Sequence, residues 1–138
     1  MHELRDIIKN RIDRKSNHLS LLIQSFGFKF GVPIDSDMVF DVRCLPNPYW
    51  DHELRPFTGK DEKIIAFLDA SLETSKLFED ICKFVEKWIP KFEANNRSYM
   101  TISIGCTGGQ HRSVYIADKL VAHLKPLWEN VQIRHREL

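Results

Sequence analysis

The sequence predicts an α/β fold: a single sandwich domain with a small, largely parallel sheet flanked by helices. Three observations predict it. Apolar, β-prone runs alternate with runs spaced at the helical period, an order that favours parallel strands joined by crossovers. The segment 103–113 (SIGCTGGQHRS) joins an apolar strand to an amphipathic helix through a glycine-bearing turn. Finally, 138 residues with 43% hydrophobic side chains are enough for one buried core and argue against a second independent domain.

Taken in order, residues 2–15 (HELRDIIKNRIDRK) place Leu4, Ile7, Ile8 and Ile12 at helical spacing among charges, so a short amphipathic lead-in helix over 1–15 is expected before a domain spanning 16–138. His18 to Phe26 and Met38 to Cys44 are apolar runs of strand length, separated by Gly27, Gly31 and Pro33. Residues 45–60 (LPNPYWDHELRPFTGK) hold three prolines, a glycine and aromatic side chains, a composition unlike a regular element; such loops often carry function. Asp61 to Leu72 is weakly helical. From Glu73 to Ile89 apolar side chains recur at Leu77, Phe78, Ile81, Phe84, Val85, Trp88 and Ile89, and Pro90 is expected to end or kink that helix. Tyr99 to Gly105 reads as an inner strand. Val114, Ala117, Leu120, Val121 and Leu124 then lay one apolar stripe on a helix, and Val131 to Arg134 resembles a last short strand.

Composition excludes several classes. No run approaches the roughly 18 apolar residues that span a bilayer, and the first residues are charged rather than signal-like, so a cytoplasmic protein without a membrane partner is expected. Cys44, Cys82 and Cys106 are odd in number and lack CxxC spacing, which argues against a disulfide framework or a zinc site; reduced thiols and no bound metal are expected. The net charge of +1 requires any nucleic-acid binding to come from a local basic face.

The loop 106–113 looks built to hold an anion. Gly108 and Gly109 allow positive φ and close backbone approach, so successive N–H groups can converge on a phosphate or carboxylate, and the following helix start adds its own positive end. Arg112 is placed to grip the same oxyanion bidentately, with Thr107 or Ser113 donating a hydroxyl bond. Gln110 lies within the same turn, and His111 reads equally as an imidazole that orients Arg112 or donates to a ligand and as a solvated residue at the helix start. Cys106 and Arg112 also show the C-x5-R spacing of cysteine-dependent phosphatases, in which a thiolate attacks phosphorus; Gly105 stands where their signature carries histidine, and no acid loop is identifiable. A buried, inert Cys106 is the plainer alternative. Asp41 and Arg43, two apart on a strand, share a face and read either as a buried ion pair or as ligand groups delivered beside the glycine loop. Tyr49 reads equally as a cover for that site, whereas packing of the loop is the stronger reading of Trp50. Lys29, Arg55, Lys60, Arg97, Arg134 and Arg136 are candidate contacts for a polyanion, although scattered cations usually mark only a solvated surface.

Three long stretches, SFGFKFGVPIDSDMVFDVRCLPNPYW, ELRPFTGKDE and SIGCTGGQHRSVYIADKL, closely resemble the C-terminal domain of the RapZ (YvcJ-type) family of RNase adapter proteins, and the resemblance covers nearly the whole chain. It implies a noncatalytic domain that binds small regulatory RNA but not DNA, presents the RNA to an endoribonuclease of the RNase E type, oligomerises with itself, and senses glucosamine-6-phosphate, with no cofactor of its own. The resemblance carries the sugar-phosphate pocket onto Thr107, Gly108 and Arg112, with Asp41 and Arg43 as neighbours, and implies an RNA contact at Lys29. Some members have histidine where this chain has Tyr49, which exchanges a possible imidazolium charge for a phenol hydrogen bond. Family members also carry an N-terminal nucleotide-binding domain, and the G-x-x-x-x-G-K-[ST] motif of such a domain does not occur in these 138 residues.

Overall fold

The computed structural model describes residues 16–138; the lead-in helix expected over 1–15 lies outside them. Four strands form one all-parallel sheet: β1 (Ser16–Gly27), β2 (Met38–Asp41), β3 (Tyr99–Cys106) and β4 (Trp128–His135). Their order is β2-β3-β1-β4, which puts β1 inside the sheet with β3 on one side and β4 on the other. Among the described residues, three α-helices accompany the sheet: α1 (Glu62–Asp69), α2 (Leu72–Ala94) and α3 (Arg112–Leu124).

The register of β1 against β3 sets Leu21 beside Met100 and Ile23 beside Ile102, so these side chains share one face. That face carries the core. Ile64 and Leu68 of α1, Val85 and Ile89 of α2, and Ile116, Leu120 and Leu124 of α3 belong to the same buried cluster. Each such fully buried aliphatic side chain contributes about 1.5–3 kcal/mol by leaving water. The opposite face is mixed, with Leu22 and a fully buried Phe26 among polar side chains. Gln24, Thr101 and Ser103 are nonetheless buried there; the Gln24 amide donates to Ser103 Oγ at 3.0 Å, and Ser103 Oγ meets Ser36 Oγ at 2.6 Å. Ser36 belongs to the connection from β1 to β2, which carries only a 3₁₀ turn, Phe28–Phe30, and is thereby tied to this face of the sheet.

Three boundaries depart from the sequence expectation. Strand β2 stops at Asp41 rather than Cys44, because the Asp41 carboxylate accepts the Arg43 backbone N–H at 2.9 Å and the chain turns, with Leu45 N–H donating to the Val42 carbonyl at 3.2 Å. Helix α2 passes through Pro90 and ends at Ala94. Pro90 sits near the end of the helix, so its missing N–H removes one bond of the ladder without ending it. The helix stops instead at a Schellman arrangement: Asn96 adopts φ 66° and donates to the Glu93 carbonyl, while Arg97 N–H reaches back to Phe92. Strand β4 begins at Trp128, three residues before the expected start, since its first turn outward is carried by the polar Glu129 and Asn130.

Candidate anion-binding site at the β3–α3 turn

Strand β3 ends at Cys106, the chain turns through Thr107–His111, and α3 begins at Arg112. This places the turn beyond the carboxyl ends of parallel strands, where open sheets usually bind ligands. Gly109 has φ +76°, a conformation that a side chain rarely adopts, and its N–H donates to the Cys106 sulfur at 3.3 Å. The Cys106 thiol in turn donates to Ser113 Oγ at 3.1 Å. These bonds fold the turn around the sulfur. No side chain caps the start of α3, which leaves the helix dipole at this end without an internal anion.

A cavity of about 360 Å³ opens over the turn, within the ~300–1,000 Å³ common for small-molecule sites. Cys106, Thr107, Gly108, Gln110, His111 and Arg112 line its floor, and Lys29, Asn47, Tyr49 and Trp50 complete its walls. Gly109 and Ser113 stand behind the lining as supports. Arg112 is 4% exposed and is fixed from one side: its Nη1 donates to the carbonyls of Arg43 at 2.7 Å and Leu45 at 3.1 Å. Its Nη2 reaches Thr107 Oγ1 only at 3.4 Å, and its buried Nε has no partner among the described residues. The guanidinium is therefore anchored by one nitrogen while the Nε–Nη2 edge, the edge suited to a bidentate oxyanion, remains unsaturated.

The proline-rich loop 45–60 holds this site in place. His111 Nε2 lies 2.5 Å from the Phe57 carbonyl and so donates to it, and Gly59 N–H donates to the Gln110 carbonyl at 2.8 Å. His111 is 8% exposed, which removes the solvated reading of that residue. Asn47 accepts the Tyr49 N–H at 3.1 Å and starts a short 3₁₀ turn, Pro48–Trp50, that presents both aromatics. The Arg55 guanidinium stacks 4.3 Å above the Tyr49 ring. Trp50 departs from the packing expectation: it is 76% exposed and lines the cavity.

Asp41 and Arg43 do not line the cavity. They form an exposed bidentate pair at 2.7–3.1 Å, rather than a buried one, with the guanidinium 3.9 Å from the Phe28 ring centroid. The hydrogen bond from the Arg43 side chain holds the Asp41 carboxyl below its usual range against the opposing effect of burial, and the charge of Arg112 adds to the lowering. Lys29, expected at an RNA surface, is brought to the cavity wall, its backbone N–H donating to the Thr107 carbonyl at 3.2 Å. Arg134 and Arg136 are exposed on and after β4, away from the cavity lining. Lys60 and Arg97 are committed to Asp118 and Asp37. Sequence reasoning missed Asn47, although Asn-Pro is a turn signal that marks such a position. It also missed Glu137, whose carboxylate accepts the Gly27 N–H at 2.8 Å.

The family model described as the RapZ C-terminal domain matches residues 19–138. Among curated proteins, the chain is 55% identical over 139 residues to a nucleotide-binding protein of Saccharophagus degradans, covering all of this chain and 48% of that protein. It is 59% identical to a nucleotide-binding protein of Hahella chejuensis, again over the whole chain and 49% of the relative, and 58% identical to one of Marinobacter nauticus, over 47% of the relative. The chain thus spans about half the length of the curated relatives it matches.

Proposed function

The chain belongs to the RapZ C-terminal domain family, and from that premise we propose that it is a noncatalytic adapter and sensor domain, binding glucosamine-6-phosphate at the β3–α3 turn and small regulatory RNA on a basic surface. One observation carries the ligand reading: Arg112, almost fully buried, is pinned through Nη1 and keeps an unsaturated Nε–Nη2 edge at a cavity floored by a glycine turn and an uncapped helix start. The phosphate takes that edge and the turn. The sugar ring lies between Tyr49 and Trp50, whose apolar faces and the Tyr49 hydroxyl suit a polyhydroxylated ring. Lys29 adds a second cation. RNA, presented to an endoribonuclease of the RNase E type, engages Arg134 and Arg136 in an assembly of several copies, in the cytoplasm.

The phosphatase reading gains one favourable feature, the thiol at the centre of the turn. It meets two obstacles. No carboxylic acid is among the residues that line the cavity to protonate a leaving group. A histidine in place of Gly105 would also collide with the rings of Phe26 and Phe28, which lie 2.4 and 2.6 Å from the position of a Cβ there. Binding without turnover is the better account of the site.

Calorimetric titration with glucosamine-6-phosphate, with glucosamine and inorganic phosphate as controls, tests the reading. Arg112→Ala removes two charge-assisted bonds to the phosphate, about 3 kcal/mol in sum or near a hundredfold in affinity. Unchanged affinity in that variant rejects the site. Lys29→Ala is expected to weaken the sugar phosphate as well, whereas Arg136→Ala is expected to leave it intact and to lower the salt slope of RNA binding by about 0.7.

A further inference from the structure

The segment that follows β4 runs back onto the glycine turn. Arg136 N–H donates to the Ser25 carbonyl at 3.1 Å, continuing the pairing with β1 beyond the strand's end. His135 secures the segment laterally: Nδ1 meets Ser25 Oγ at 2.6 Å and Nε2 meets Asp118 Oδ1 of α3 at 2.9 Å. Glu137 is consequently half-buried among exposed neighbours, and its Oε2 accepts the Gly27 N–H at 2.8 Å.

The place of Gly27 gives this contact its meaning. A Cβ on Gly27 would lie 2.6 Å from the Gly108 carbonyl carbon, and a Cβ on Gly109 would lie 2.5 Å from both Gly27 N and the Glu137 Cγ. Glu137, Gly27 and the Gly108–Gly109 peptide are therefore stacked in direct contact, with Glu137 behind the turn and the cavity in front of it. Gly109 needs its left-handed conformation to aim its N–H at the Cys106 sulfur. The turn is held at its flanks by Lys29 N–H on the Thr107 carbonyl and Gly59 N–H on the Gln110 carbonyl, and Gly109 itself is backed by Gly27 and Glu137.

We propose that Glu137 is a positioning residue for the anion loop, bracing the Gly108–Gly109 turn through Gly27 so that the loop's N–H groups are set before an anion arrives. The inference rests on the reading that the turn binds an anion, and it concerns a residue that does not touch the ligand. A preorganised turn binds more tightly than one that must be ordered on binding. The side chain acts through reach and an acceptor oxygen, so its charge is incidental to the role.

Three substitutions separate reach from charge: Glu137→Gln keeps both length and an acceptor oxygen, Glu137→Asp keeps the charge but falls short, and Glu137→Ala loses both. Titration with glucosamine-6-phosphate and with inorganic phosphate is expected to leave the glutamine variant within about twofold of the parent, and to weaken the aspartate and alanine variants about tenfold. Hydrogen exchange at Gly27 and Gly109 should quicken in those last two while the core amides of β1 and β3 stay protected. A purely structural residue would instead lower affinity only in step with global stability. Glutamine failing where aspartate succeeds would overturn the proposal in favour of a charge effect, and equal affinity in all variants would overturn it outright. A parent protein that binds no phosphorylated ligand would refute the anion site itself, a separate outcome from either.

Discussion

Gly108 and Gly109 are adjacent and alike in sequence, yet the structure assigns them opposite sensitivities to a methyl group. At Gly109, alanine would have to hold φ near +76° and place its Cβ 2.5 Å from Gly27 N, 2.5 Å from Glu137 Cγ and 2.7 Å from the Phe26 carbonyl carbon. The left-handed conformation costs about 1–2 kcal/mol. Two of the three contacts are with the backbone of β1, inside the sheet, and cannot yield as a side-chain end would; overpacking of this kind adds about 1–3 kcal/mol. The total for Gly109→Ala is about 2–5 kcal/mol. At Gly108, a Cβ meets nothing within 4 Å, so Gly108→Ala should be neutral in stability or gain up to about 0.5 kcal/mol through a less flexible unfolded chain. That open space is the cavity, and the added methyl should therefore weaken a phosphorylated ligand while the fold is untouched. Urea denaturation followed by circular dichroism reads the first effect, and titration of the folded Gly108→Ala protein reads the second. Equal midpoints for the two alanine variants, or a Gly109→Ala protein within 1 kcal/mol of the parent, would refute the stacked arrangement.

Thiol chemistry and acid titration offer two further checks. Cys44 is exposed, whereas burial pushes the Cys82 thiol up to about 12; iodoacetamide at pH 8 is expected to modify Cys44 in the folded protein and Cys82 only after denaturation, and peptide mass spectrometry showing equal native rates would contradict the packing of α2. Asp41 is held below its unfolded value chiefly by Arg43, so the pair's stabilisation is fully present above the unfolded pKa of about 4 and is lost as pH falls through the lower folded value. Both partners are about half-exposed, so Asp41→Asn should move the urea midpoint only slightly at pH 7 and flatten its acid-side slope below the unfolded pKa of about 4. An unchanged acid slope in the variant would show that the pair does not persist in solution.

The elements that bury one clear face were legible in the sequence. Apolar runs of strand length in β1 and β3 and the stripe Val114–Leu124 located the inner strands and α3 closely, because each buries several apolar residues close together in sequence. The boundaries that failed are those settled by local polar bonds. An Asp41 carboxylate turning back to Arg43 ended β2, and an asparagine in a left-handed conformation, rather than Pro90, ended α2. Edge strand β4 hid its onset since few of its side chains are buried. At the candidate site, the glycines, Arg112 and Thr107 were readable from spacing. The division of Arg112 into an anchored and an unsaturated edge was not, since it depends on carbonyls of Arg43 and Leu45, some seventy residues earlier in the chain. Glu137 escaped notice for the same reason: its partner is Gly27, and no local pattern links them.

The position of β1 in the sheet also constrains how the domain comes into being. Both neighbours of this strand arrive late, β3 at Tyr99 and β4 at Trp128, so a growing chain on the ribosome carries its longest strand for some seventy residues before either edge is paired. Local helix formation in α1 and α2 comes first, and closure of the sheet waits for β4. Folding of such a non-local topology is slow, and until then β1 is a template for unwanted strand addition. The residues that brace the anion loop from behind follow β4 in the chain, so the loop is ordered only after every strand of the sheet has been made.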